Sequence, residues 1–134
     1  MTASQPRPAV FRLTAPPAIK LNERQVIRQC ADFLQLRGYW LQRNPVGKFK
    51  TMRDTPVYFG PTGIPDYIAV HAKFPAFFLE TKATGRNLRP TQVSKFAEIQ
   101  FGYGLAAVAV DGIEDLIVWL DGYEARVQAA WARP

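Results

Sequence analysis

Gly63-Ile64-Pro65-Asp66, running on into Tyr67-Ile68-Ala69-Val70, and the later Ala76-Phe77-Phe78-Leu79-Glu80-Thr81-Lys82 decide the reading of this chain. Both apolar runs predict strands, over residues 66–71 and 76–82, with residues 73–75 turning the chain between them. Side chains two apart on a strand share a face. Glu80 and Lys82 therefore project together, while Phe77, Leu79 and Thr81 take the other side. Two adjacent strands joined by a short turn bring Asp66 beside that pair, so two carboxylates and one ammonium gather on one face. An ordinary solvated hairpin could carry the same residues, and Asp66 alone could be a turn residue. A charge pair that ends a strongly apolar strand nevertheless asks for a reason. Such a group suits phosphodiester hydrolysis: the carboxylates can hold a divalent cation, which polarises a phosphoryl group and lowers the pKa of water. The lysine can orient that water or neutralise charge growing on the phosphate.

Composition narrows the setting. A chain of 134 residues with 48% apolar content holds one domain with a real core. The net charge of +6 and an isoelectric point of about 9.8 favour a polyanionic partner. No helix with a clear basic face supports an anionic membrane instead, and no apolar run is long enough to span one. No signal peptide is visible, because prolines interrupt the N-terminus, and the single cysteine fits a reducing cytosol. Cys30 is the sole cysteine, which excludes a disulfide framework, and it falls in a helical apolar pattern as a core residue. His71 is the sole histidine, so a zinc site of Cys and His ligands is excluded. It reads as a surface residue at a strand end. A metal here would take oxygen ligands, which means Mg²⁺ or Mn²⁺.

Residues 1–20 are proline-rich, lack periodicity and read as a flexible, mildly basic arm, with residues 21–134 forming the single domain. A first helix is predicted over 22–37, N-capped by Asn22 with Gln25 completing a capping box and Gly38 stopping it. Its apolar stripe is Val26, Ile27, Cys30, Phe33 and Leu34. Glu23 falls in its first turn, where it complements the helix dipole. A strand over 39–43 precedes a long irregular stretch, 46–63, with Tyr58 and Phe59 forming at most a short strand before the Gly63 turn. There Lys48, Lys50 and Arg53 alternate with Phe49 and Met52. That interleaving suits a phosphate backbone with some contact to sugars or bases, although a solvated hairpin tip would also carry it. Arg86 and Arg89 add charge before a second helix over 90–100, opened by Pro90, with Val93, Phe96 and Ala97 inward. Gln92 lies in its first turn, close to where the Glu80–Lys82 strand exits, and taken alone reads as a solvated glutamine. A buried strand over 105–110 and a helix over 113–120 follow, then a break at Gly122 and a short helix over 123–131.

Pro65-Asp66, thirteen further residues and then Glu80-Thr81-Lys82 resemble the active-site motif of the PD-(D/E)xK nuclease superfamily. Within it the chain is most similar to stand-alone VRR-NUC domains of phages and bacteria. The likeness runs from Glu23 and Gly38-Tyr39 through Arg43-Asn44, Gly47, Phe59-Gly60-Pro61 and Gly63-Ile64-Pro65-Asp66 to Glu80-Thr81-Lys82 and Gln92. It implies an α/β, restriction-endonuclease-like core in the order αβββαβα, with a mixed central sheet of about four strands flanked by helices. It implies metal ligation by Asp66, Glu80 and the Thr81 backbone carbonyl, with Lys82 positioning the water. Glu23 joins as an additional acid, and Gln92 lies at the edge of the site and fixes Lys82 or a phosphate. Arg43, Lys48, Lys50, Arg53, Arg86 and Arg89 are the expected DNA contacts.

The expectation is a Mg²⁺- or Mn²⁺-dependent DNA endonuclease that leaves a 3′-hydroxyl and a 5′-phosphate. It would act as a homodimer, and on structure-specific substrates such as Holliday junctions or other branched DNA. The alternatives are a catalytically silent DNA-binding module and a nuclease subunit that depends on a helicase or repair partner. The proline-rich arm lies outside the family pattern.

Overall fold

The computed structural model describes residues 9–12, 19–44, 47–50, 56–59 and 63–132. The described elements in chain order are β1 (Val10–Phe11), α1 (Glu23–Leu36), β2 (Trp40–Arg43), β3 (Gly47–Lys50), β4 (Pro56–Phe59), β5 (Tyr67–Val70), β6 (Phe77–Thr81), α2 (Pro90–Ala97), β7 (Ala106–Val110) and α3 (Ile113–Trp131). A π-helical turn over Glu98–Gly102 extends α2. Five strands form a mixed sheet in the order β1-β7-β6-β5-β2, and β3 and β4 form a separate antiparallel pair. Strands β6 and β7 run parallel, as do β7 and β1, whereas β5 is antiparallel to both β6 and β2.

Strand alternation sorts the side chains into two layers. Phe77, Leu79, Val108 and Val110 point to one face and meet Val26, Cys30 and Leu34 of α1 and Leu116 and Leu120 of α3. Ala107 and Ala109 point to the other face, against Phe96 and Ile99. Full burial of each large side chain contributes about 1.5–3 kcal/mol, so the α1–α3 face carries most of the core. Cys30 belongs to it, and burial with the carboxylates of Glu114 and Asp115 pushes its thiol up to about 12, which makes it inert at neutral pH.

The predicted start of α1 is what the fold uses. Asn22 Oδ1 accepts from the Gln25 N–H at 2.9 Å, and Gln25 Oε1 accepts from the Asn22 N–H at 3.0 Å. Gly38, at φ +88°, ends the helix.

Four expectations are corrected. The sheet has five strands rather than about four, because Val10–Phe11, read as part of the free arm, adds an edge strand beside Ala109–Val110. A two-residue strand has no periodicity to read, and its pairing partner lies far along the chain. The stretch read as irregular over 46–63 contains β3 as well as the short strand expected at Tyr58 and Phe59, which is β4, and the two pair from Gly47 opposite Phe59 to Lys50 opposite Pro56. Gly122 does not break α3, which runs on to Trp131. Its second half is held by Tyr123, whose hydroxyl donates to the Pro75 carbonyl at 2.8 Å, and by buried Glu124. Those contacts outweigh the roughly 1 kcal/mol helix penalty of a glycine. His71 is no plain surface residue: its Nδ1 accepts from the Lys73 N–H at 2.9 Å and its Nε2 lies 3.1 Å from the Arg37 carbonyl.

Candidate active site

The antiparallel register sets the site. Tyr67 stands opposite Leu79 and Ile68 opposite Phe78, so Asp66 falls opposite Glu80. The Asp66 N–H donates to Glu80 Oε2 at 2.9 Å. The turn ahead of Asp66 is fixed on two sides. Gly63 has φ +81°, and a Cβ there would come within 2.3 Å of the Thr91 carbonyl oxygen, so this turn lies directly on the first turn of α2 and admits only glycine. Asn44 clamps the other side, with its backbone N–H on the Asp66 carbonyl at 2.7 Å and its side-chain amide on the Pro65 carbonyl at 2.9 Å.

Glu80 is 1% exposed. Its Oε1 accepts from Gln92 Nε2 at 2.8 Å and lies 3.4 Å from Lys82 Nζ. Gln92 Oε1 in turn accepts from the Arg89 N–H at 2.8 Å, which locks the amide orientation. Lys82 is 7% exposed, and its backbone N–H donates to the Val110 carbonyl at 2.9 Å. Thr81, 1% exposed, ends β6 opposite Val110. Glu23, the first residue of α1, brings its carboxylate to the same place: Glu23, Asp66 and Glu80 each offer an oxygen, and these atoms lie within 4.8 Å of one another.

The electrostatics follow from this crowding. Burial, and then the neighbouring Asp66 carboxylate, push the Glu80 carboxyl up to about 7, against the opposing pull of the Asp66 N–H and the Lys82 ammonium. Among the described residues Lys82 brings one ammonium to three carboxylates, of which Glu80 is buried, Asp66 half-buried and Glu23 exposed. The donors offered are all oxygens, the set that hard cations such as Mg²⁺ and Mn²⁺ take.

The structure thus brings together Glu23, Asp66, Glu80, Lys82 and Gln92. Two details differ from expectation. Gln92 is buried rather than solvated, and its amide holds Glu80 rather than Lys82. Arg43, Arg86 and Arg89 are exposed on segments that flank the site: Arg43 next to Asn44, and Arg89 at the start of α2. Lys48 and Lys50 lie on β3, and Arg53 lies outside the described residues. Asn44 and Gly63 do structural work in the site; both stand in the motif quoted above, but only the fold shows what they touch. Among the described residues no helix is long and apolar enough to cross a membrane. Comparison with protein-family models, with curated proteins and with solved structures returned no match to the chain.

Proposed function

We propose that this chain is a divalent-metal-dependent deoxyribonuclease with a restriction-endonuclease-like core of the VRR-NUC type. The observation that carries the proposal is the convergence of three carboxylates within 4.8 Å beside the buried Lys82 ammonium. Two further features support it. The sheet order, with two antiparallel strands delivering Asp66 and Glu80 and a parallel partner beyond them, agrees with the motif reading. The net charge of +6 and the exposed Arg43, Arg86 and Arg89 suit a phosphate backbone.

Asp66 and Glu80 would hold Mg²⁺ or Mn²⁺, with Glu23 and the Thr81 carbonyl as further donors. Three carboxylates that converge from an exposed, a half-buried and a buried residue fit a dication better than a neutral ligand. A cation bound there supplies Lewis-acid polarisation of the phosphoryl group and a lowered pKa for water. The protein does the rest. The Asp66 N–H and the Gln92 amide fix both oxygens of Glu80, so that carboxylate is aimed before any ligand arrives. Lys82 places its ammonium where it can orient a water or meet charge developing on a phosphate oxygen. The exposed arginines position the strand without reading its sequence. The resemblance adds branched DNA as the substrate class, a homodimer as the active unit and the cytoplasm of a bacterial or phage-infected cell as the setting. Trp131, 58% exposed and stacked on Phe74 at 5.6 Å, offers aromatic surface for such a contact.

The test is nicking of supercoiled plasmid and of a four-way junction by purified protein in Mn²⁺, in Mg²⁺ and in EDTA. Nicking that requires the metal is expected. DNA binding with no nicking under any condition would instead support the silent binding module. Nicking that appears only on addition of a helicase would support the partner-dependent subunit.

A further inference from the structure

We infer that Arg12 is a positioning residue for the carboxylate site, acting through the buried Asp111 and the 84–87 turn on the starts of α1 and α2. The inference rests on the nuclease reading for its effect on cleavage. Its structural half does not.

The guanidinium of Arg12 makes three bonds. Nε donates to Asp111 Oδ2 at 2.9 Å, Nη1 to Asn87 Oδ1 at 2.9 Å and Nη2 to the Arg86 carbonyl at 2.7 Å. Asp111, 1% exposed at the end of β7, also accepts from the Gly85 N–H at 2.9 Å through the same Oδ2. Its Oδ1 is buried with no hydrogen-bond partner among the described residues. A buried carboxylate with one orphan oxygen depends on its remaining partners. Among them Arg12 brings the positive charge.

The turn so held reaches the site in both directions. The Thr84 hydroxyl donates to the Asp111 carbonyl at 3.2 Å and accepts from the Leu21 N–H at 3.0 Å. The Thr84 N–H donates to the Leu21 carbonyl at 2.9 Å, two residues ahead of Glu23. Downstream, the chain passes from Asn87 to Arg89, whose N–H holds the Gln92 side chain against Glu80. Lys82 is tied to Val110, next to Asp111. The segments that deliver Glu23, Lys82 and Gln92 therefore meet around Asp111, through the backbone carbonyls of Val110 and Asp111 and through Arg12, and a segment read from the sequence as a free arm neutralises the Asp111 carboxylate. Arginine suits the post because its planar fork reaches three acceptors at once. A lysine is a point charge on a single stem.

That difference gives the experiment. Arg12→Lys keeps a charge for Asp111 and loses the fork, and Asn87→Ala removes one arm of the fork with Arg12 intact. Hydrogen exchange of the 84–92 and 21–25 amides, the side-chain amide resonance of Gln92, and kcat and KM for Mn²⁺-dependent cleavage are compared with the unsubstituted chain. Both variants are expected to melt cooperatively. Exchange over 84–92 should accelerate roughly tenfold or more. The Gln92 resonance should shift, and kcat should fall with KM for DNA little changed. Unchanged protection and an unshifted Gln92 resonance in both variants would overturn the inference, as would lost protection with kcat intact. Absence of cleavage by the unsubstituted chain would overturn the nuclease reading alone, and the exchange and resonance readouts would then decide the positioning claim.

Discussion

Glu80 and Glu124 are both buried glutamates, one near the end of β6 and the other on α3. Glu124 is matched: one oxygen takes the Arg37 guanidinium and the other the Tyr39 hydroxyl at 2.9 Å. Arg37 also reaches Asp121, on the exposed side, at 3.0 Å. Glu80 has donors too, but it faces Asp66 and Glu23, and among the described residues Lys82 is the cation paired with it. A carboxylate whose partners balance it is architecture, fastening α1 and β2 to α3. A carboxylate pressed among others, with its carboxyl pushed up to about 7, is the one that a dication would relieve.

The largest expected separation between the two is in activity. Glu80→Ala should lower Mn²⁺-dependent cleavage by roughly 10³-fold or more, beyond the loss of a single electrostatic stabiliser. Glu124→Ala should leave cleavage per folded molecule unchanged. Initial rates on plasmid measure both, and ready cleavage by the Glu80→Ala protein would end the site assignment.

The second separation is in stability against pH. The folded carboxyl of Glu80 sits near 7, above its ordinary 4.5, so the folded state holds that proton more tightly than the unfolded chain does. Its contribution is favourable at low pH and is lost as pH rises through 7. Ionised Glu80 should therefore cost about 3 kcal/mol once the pH exceeds both values. Urea titrations in EDTA should show the unsubstituted chain losing stability relative to Glu80→Gln between about pH 5 and pH 8. Excess Mn²⁺ should restore the unsubstituted chain and not the variant.

Glu124 acts through its hydrogen bonds. Glu124→Ala leaves the Tyr39 hydroxyl and one arm of Arg37 without their acceptor and should destabilise by about 2 kcal/mol at neutral pH, read by urea denaturation. The smallest effect lies away from both glutamates. Replacing Lys48, Lys50 and Arg53 together by alanine should reduce the slope of log affinity against log salt by roughly 2 to 3 units per protomer. Binding in Ca²⁺ at several salt concentrations checks it, and an unchanged slope would remove those residues from the DNA contact.

Much of the site was legible because it depends on short-range rules. Strand alternation and one turn suffice to put Asp66, Glu80 and Lys82 together, and the Asn22 and Gln25 capping box needs only residues three apart. What was illegible depends on distant partners. Gln92 is buried because the Asp66 turn lies over the start of α2, a contact no local pattern announces. Val10–Phe11 is a strand because β7 offers an edge, and Arg12 matters because Asp111 is buried. Gly122 stays helical because Tyr123 and Glu124 find partners on Pro75, Tyr39 and Arg37. In each case tertiary contact overrides a local preference.

If Asp66, Glu80 and Glu23 hold a cation, that cation displaces the Glu80 proton, which passes to the buffer. Calorimetric titration of Mn²⁺ into the metal-free chain at pH 7, in two buffers of different ionisation enthalpy, measures binding and proton release together. With the Glu80 carboxyl at about 7, saturable binding should release roughly half a proton per site, and Glu80→Ala should abolish both signals. No binding, or binding with proton release that survives in Glu80→Ala, would contradict the account.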